Sequence, residues 1–169
     1  MHEKVKYDIR HWMGIFFLMA STKDTPMFKY FCTAISDAIF KVVPESRLAV
    51  KAHLKSLGVT DAEIRRVRRK YWRSHCQYVV LSPEELQRDV TDVYEFFVDI
   101  IDPSTGRNFF NPDHAKRFRT GMTYIRKGYL SDIPGLPMYI EIGKYKSGLA
   151  KFICIRSSSG LEGYHLHLR

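Results

Sequence analysis

The sequence predicts an α+β fold that is mostly helical, with a small β-hairpin before the last helix. Two observations lead to this class. Apolar residues recur at helical spacing through most of residues 9–128. Beyond them, 138–142 and 152–155 are β-prone runs on either side of a glycine-bounded segment, which is typical of a hairpin.

The first helices follow from local start and stop signals. Residues 5–8 are predicted to end a short strand, and a helix begins after Asp8. Pro26 and Pro44 suit the first turn of two further helices, because proline lacks the amide hydrogen that a first turn does not use. The second of these is expected to end at Gly58.

Two capping boxes predict the next helices. The spacing Thr-x-x-Glu at 60–63 and Ser-x-x-Glu at 82–85 lets each side chain bond the backbone of the other. The first box is expected to start one basic helix, with Ile64, Val67 and Tyr71 facing inward. The second starts a helix that reaches about residue 101.

The remaining elements are a helix, the hairpin and a last helix. Residues 102–106 have turn chemistry, and Asn111-Pro112 is typical of a cap followed by the first helical residue. That helix is expected to end near Gly128. Serines 157–159 are predicted to cap the last helix, which starts at Gly160.

Charge and cysteine usage indicate the class of partner and compartment. Of 169 residues, 27 are Lys or Arg and 18 are Asp or Glu, a net charge of +9 that favours a polyanionic partner. Three cysteines without CxxC spacing argue against a disulfide framework or a four-cysteine zinc site. The longest apolar run, 13–20, is too short to span a membrane. We therefore expect an intracellular protein with no membrane partner.

A cluster of cations predicts contact with DNA. Six positive residues lie within nine positions, with Tyr71, Trp72 and Tyr78 as stacking surfaces nearby. Such a face neutralises phosphates. The alternative interpretation is a solvated helix face. The predicted DNA-binding residues are Arg65, Arg66, Arg68, Arg69, Lys70 and Arg73.

Two carboxylates stand at positions where they could share a metal ion. Asp8 lies at a strand-to-helix junction, and Glu162 lies in the first turn of the last helix. Converging carboxylates are what two-metal phosphoryl transfer needs. The alternative is that Glu162 belongs to a capping box with Ser159 and that Asp8 is a surface charge.

Two passages resemble eukaryotic DDE-type transposases of the Mutator-like and Zisupton-like groups. Residues 155–165, Ile-Arg-Ser-Ser-Ser-Gly-Leu-Glu-Gly-Tyr-His, are similar to the RGT(S/N)-x-x-E-G-x-H passage near the third acidic residue. Residues 5–13, Val-Lys-Tyr-Asp-Ile-Arg-His-Trp-Met, are similar to the second-acid passage. The match departs at Ser157 and Ser158, where Gly and Thr are usual.

The resemblance implies a partial ribonuclease H-like fold with a helical insertion. Asp8 then matches the second catalytic acid and Glu162 the third, and both would hold Mg²⁺ or Mn²⁺. His11 and His165 follow their acids by three residues each and are candidate catalytic residues. Three regions are expected, which are the strand end and helix with the second acid (1–25), the helical insertion (26–130), and the hairpin and terminal helix (131–169).

The resemblance also places the first catalytic Asp upstream of residue 1. Both ends of the sequence look cut, so we expect a fragment, either of a transposase or of a host gene derived from one, that is catalytically incomplete by itself. Its ancestral activity would be DNA cleavage and strand transfer in the nucleus.

Two further functions stay open. The chain could be a non-catalytic, basic helical module that binds nucleic acid. It could also be an interaction domain without nucleic acid, which associates through an apolar face near Leu161, Tyr164 and Leu168.

Overall fold

The computed structural model describes residues 8–156 and is α+β, about half helical, with small antiparallel hairpins. The predicted class is confirmed at this level. The described chain divides into two compact units, each built from two segments. Unit 1 contains residues 8–40 and 80–133, and unit 2 contains residues 41–79 and 134–156.

Seven helices and six short strands make up the described chain. The helices are α1 (Ile9–Phe17), α2 (Pro26–Ile39), α3 (Pro44–Ser56), α4 (Asp61–Arg66), α5 (Arg69–His75), α6 (Pro83–Val98) and α7 (His114–Arg126). The strands are β1 (Phe40–Val42), β2 (Tyr78–Val80), β3 (Ile101–Asp102), β4 (Arg107–Asn108), β5 (Tyr139–Lys144) and β6 (Ala150–Cys154). They form three two-stranded sheets, β1 with β2, β3 with β4, and β5 with β6.

Most helices begin at the residues that the sequence predicts. Pro26 and Pro44 occupy the first turns of α2 and α3, and both capping boxes are formed. Gly58 follows α3 with φ +83°, a left-handed conformation that favours glycine. The helix ends therefore depend on local chemistry that the sequence carries by itself.

One predicted strand end and one predicted helix start are wrong, although α1 begins directly after Asp8 as predicted. Asp8 is not in a strand but caps α1, and residues 5–7 lie outside the described residues. Helix α7 begins at His114 rather than Pro112. Asn111 forms a turn instead, since its Oδ1 accepts the amide of Asp113 at 3.0 Å while its Nδ2 donates to the Leu18 carbonyl at 2.7 Å. The last predicted helix, from Gly160, lies outside the described part of the chain.

Unit 1 has an aromatic core between α1, α2, α6 and α7. Phe31 is fully buried, and its ring centroid lies 5.1 to 5.4 Å from those of Phe97, Phe109 and Phe110. Trp12 is also fully buried and donates its indole N–H to the Gly121 carbonyl at 2.9 Å. These contacts join residues far apart in sequence, and they hold the four helices in one unit.

Unit 2 has a smaller core. Val50, Leu54, Ile64, Cys76 and Leu149 are its buried residues, contributed by α3, α4, the end of α5 and the β5–β6 turn. Burial raises the pKa of the Cys76 thiol, which keeps this thiol protonated. The predicted hairpin is confirmed as an antiparallel β5–β6 pair, with an irregularity in register between Glu141 and Gly143.

Candidate nucleic-acid interface

Positive charge is concentrated in unit 2. Its described residues include fourteen Lys and Arg against four Asp and Glu, a net charge of +10. Those of unit 1 include ten Lys and Arg against twelve Asp and Glu, a net charge of −2. The excess positive charge of the described residues therefore lies in one small unit, which also contains all six predicted DNA-binding residues.

Two of the four acidic residues in unit 2 are engaged at the start of α4. Glu63 accepts hydrogen bonds from the Thr60 amide at 2.9 Å and the Thr60 hydroxyl at 2.7 Å, and these hold its pKa below the usual value. Asp61 pairs with Lys55 at 2.9 Å, and this contact lowers its pKa likewise. Both stay ionised, but they act within the first turn of a helix, where negative charge is stabilising.

The predicted single basic helix is wrong, because the segment forms two helices. Helix α4 ends at Arg66 and α5 begins at Arg69, and between them Val67 and Arg68 have extended ψ angles of 128° and 143°. The break lets Ile64, Val67 and Tyr71 all pack into the core of unit 2.

All six predicted DNA-binding residues are exposed. Arg66, Arg68 and Lys70 make no ion pair or side-chain hydrogen bond with residues 8–156. Arg69 and Arg73 lie close enough to Tyr78 to lower the pKa of its phenol, an effect outweighed by burial, which raises it. The structure therefore brings the six cations together on α4, α5 and the two residues that link them.

The three rings predicted as stacking surfaces are partly engaged within unit 2. Tyr71, Trp72 and Tyr78 are half-buried and pack against the core of unit 2. Tyr71 is stacked on His75 at 4.1 Å between ring centroids, and the Arg47 guanidinium lies 5.2 Å from the centre of the Trp72 ring. These contacts engage the Tyr71 and Trp72 rings within unit 2, and Tyr78 packs against the same core.

Sequence reasoning missed the cations that unit 2 draws from other segments. Helix α3 packs against α4 and carries Arg47, Lys51 and Lys55, and β6 packs against α5 and carries Lys151. None of these stands in a charge run, so no local signal singles them out. Their placement follows from long-range contacts, which a one-dimensional pattern does not reveal.

The hairpin is held to β2 by a small polar cluster. Arg156 donates to the Tyr78 carbonyl at 2.7 Å, and its guanidinium lies 5.6 Å from the centre of the Tyr139 ring. The Tyr139 hydroxyl accepts the Tyr78 amide at 3.0 Å. Burial raises the pKa of Tyr139, so its phenol remains neutral and available for this bond. The cluster fixes the hairpin within the basic unit.

Asp8 and His11 are brought together at the start of α1. Oδ1 of Asp8 accepts the Arg10 amide at 2.8 Å, and Oδ2 lies 3.3 Å from Nδ1 of His11. The Asp8 side chain is 19% exposed and that of His11 76%. Asp8 thus acts as a helix cap, while Glu162 and His165 lie outside the described residues.

The described residues do not by themselves fit the divalent metal that the resemblance implies. Asp8 is a single carboxylate whose two oxygens already have partners. No group of three or more His, Cys, Asp or Glu within residues 8–156 is placed to hold a metal ion.

Comparison with known protein families, curated proteins and solved structures finds no match to this chain. None of the helices in the described range is both long and apolar enough to cross a membrane.

Proposed function

We propose that the chain binds the phosphate backbone of DNA through the basic surface of unit 2. This surface consists of the exposed cations Arg65, Arg66, Arg68, Arg69, Lys70 and Arg73. The observation that carries this proposal is the separation of charge, +10 on the described residues of unit 2 and −2 on those of unit 1. A surface of this sign and density attracts polyanions and displaces their bound counterions.

The exposure of the cations and the partial burial of the aromatic rings favour contact with the DNA backbone over recognition of bases. Arg66, Arg68 and Lys70 are exposed and have no partner among the described residues. Tyr71, Trp72 and Tyr78 are half-buried and engaged with other side chains of unit 2. Phosphate contacts position a protein on DNA but carry no sequence information. We therefore propose binding that is largely independent of base sequence.

The test is the salt dependence of DNA binding by the full chain. We expect a plot of log K against log salt concentration with a slope of about −5, because each of six neutralised phosphates contributes about −0.9 on duplex DNA. Fluorescence anisotropy with two labelled duplexes of unrelated sequence measures it. Equal slopes and affinities are expected for both. An affinity that does not change with salt would contradict the proposal and favour the interaction domain.

We also propose, as a second candidate, that the chain is a catalytically incomplete piece of a transposase-like domain with a partial ribonuclease H-like fold. What supports it is the pairing of Asp8 with His11 at 3.3 Å, the two residues that the resemblance matches to the second catalytic acid and the histidine after it. This candidate includes DNA as partner and a nuclear location, and it is compatible with the first.

The second candidate is tested by the distance between the carboxylates of Asp8 and Glu162 in crystals grown with Mn²⁺. We expect the nearest oxygens within about 4.4 Å, because oxygen ligands lie roughly 2.0–2.2 Å from such an ion. The Asp8→Asn variant is the control and should lose the ion. Carboxylates far apart, with Glu162 bonded back to the Ser159 amide, would remove the mechanistic basis of the resemblance.

A further inference from the structure

Helices α1 and α7 border a cleft in unit 1 that the proposed function does not use. Its volume is about 260 Å³, and Ile15 of α1 forms an apolar wall. The opposite wall comes from the start of α7 and contains Asp113, Lys116, Arg117 and Thr120. The cleft is several times larger than one water molecule, whose share of liquid volume is about 30 Å³.

Arg117 contributes a charged side chain to the lining of this cleft, and one of its donors is unsatisfied. Its Nε is buried and has no hydrogen-bond partner among the described residues. A buried donor on a charged group that lacks a partner costs roughly 1–3 kcal/mol or more. Such groups in native proteins usually face a water, an ion or a ligand. Because this Nε is buried, only the outer nitrogens of the Arg117 guanidinium can reach a ligand in the cleft.

The neighbouring side chains favour a negatively charged ligand. Lys116 is exposed and makes no ion pair within residues 8–156, and the Thr120 hydroxyl lies one helical turn further along, where it donates to the Lys116 carbonyl at 3.1 Å. Asp113 is the one carboxylate among the lining residues, so two cations face one anion. The net charge of the residues that line the cleft is therefore positive, although the described residues of unit 1 are acidic in sum.

We propose that this cleft binds a phosphate group. The Arg117 guanidinium supplies directed N–H donors that match phosphate oxygens, and Lys116 adds a second positive charge. Asp113 opposes the ligand and limits its affinity. The phosphate could belong to a small organic phosphate, with its apolar part against Ile15, or to a nucleic-acid backbone.

The experiment is a thermal-unfolding titration of the full chain with inorganic phosphate, at ionic strength held constant with chloride. We expect a saturable rise in Tm of about 3–5 °C at ten times the dissociation constant. Arg117→Met, which keeps the aliphatic stem, should abolish the rise. Arg119→Met, an exposed arginine on the same helix but outside the cleft, should retain it.

Two further variants keep the test decisive if Arg117→Met folds poorly. Lys116→Met should weaken phosphate binding by about 10-fold, and Asp113→Asn should strengthen it by a similar factor, because the two changes remove charges of opposite sign. A rise in Tm that is linear in phosphate concentration, or equal in the Arg117 and Arg119 variants, would overturn the proposal, since excluded salts stabilise any fold in this way.

A second arm distinguishes the two sources of phosphate. The affinity of the Arg117→Met variant for a DNA duplex is compared with that of the unchanged chain. An unchanged affinity assigns the cleft to a free or small organic phosphate, whereas a lowered affinity assigns it to a backbone phosphate. This arm is independent of the basic surface in unit 2, so failure of one site does not imply failure of the other.

Discussion

Replacing Arg66, Arg68 and Lys70 together with glutamine is expected to weaken DNA binding by roughly 100- to 500-fold at 0.1 M salt. Three lost phosphate contacts lower the steepness of the log K against log salt plot by about 2.7. These three residues are chosen because they are exposed and their side chains have no partner among residues 8–156. Their replacement therefore removes charge without removing a contact that stabilises the fold.

A matched control separates this local effect from net charge. Lys23, Lys29 and Arg107 are exposed cations of unit 1, and changing them to glutamine removes the same three charges. We expect a small loss, below about 5-fold, with nearly the same salt slope, because these charges lie on the acidic unit. If both triple variants lose affinity equally, binding responds to total charge and the assignment to unit 2 is wrong.

The largest effect on stability is expected from Trp12→Ala. Trp12 is fully buried, packs on Phe16 at 4.4 Å between ring centroids, and donates to the Gly121 carbonyl. Truncating such a side chain lowers the free energy of unfolding by about 4–5 kcal/mol, because it opens a large cavity and leaves the carbonyl without its donor. Urea unfolding followed by circular dichroism measures the loss.

Two variants help to interpret that measurement. Trp12→Phe keeps most of the ring and should cost much less, about 1–2 kcal/mol, largely through the lost hydrogen bond. Phe96→Ala removes an aromatic ring that is 59% exposed and should cost under about 1 kcal/mol. If Trp12→Ala unfolds at the same urea concentration as the unchanged chain, the core assigned to unit 1 is wrong.

Helix ends could be predicted well because their signals are local. Ser82 and Glu85 bond each other's backbone three residues apart, so sequence spacing alone defines the box. The break at Val67 and Arg68 could not be found this way. Ile64, Val67 and Tyr71 suit the inner face of one continuous helix, and only the shape of the core decides that the chain extends between them.

The candidate site was predictable in composition but not in arrangement. The run of cations from Arg65 to Arg73 is evident in the sequence, and the structure places all of them in one unit. The role of the Tyr71, Trp72 and Tyr78 rings was not evident, because the sequence around Trp72 is equally consistent with a stacking surface and with a core residue. Its burial depends on Arg47 and on the rest of unit 2, which lie elsewhere in the chain.

The interleaved segments of the two units have a consequence for the order in which the protein can fold during synthesis. Residues 41–79 leave the ribosome while unit 1 still lacks Phe97 and Phe109, and they must wait for Leu149 before their own core is filled. Neither unit can therefore close before both of its segments are synthesised, and apolar side chains such as Phe31 and Val50 stay exposed until then. Contacts between such distant residues slow folding and leave apolar surface open to aggregation. We therefore expect the nascent chain to depend strongly on chaperones.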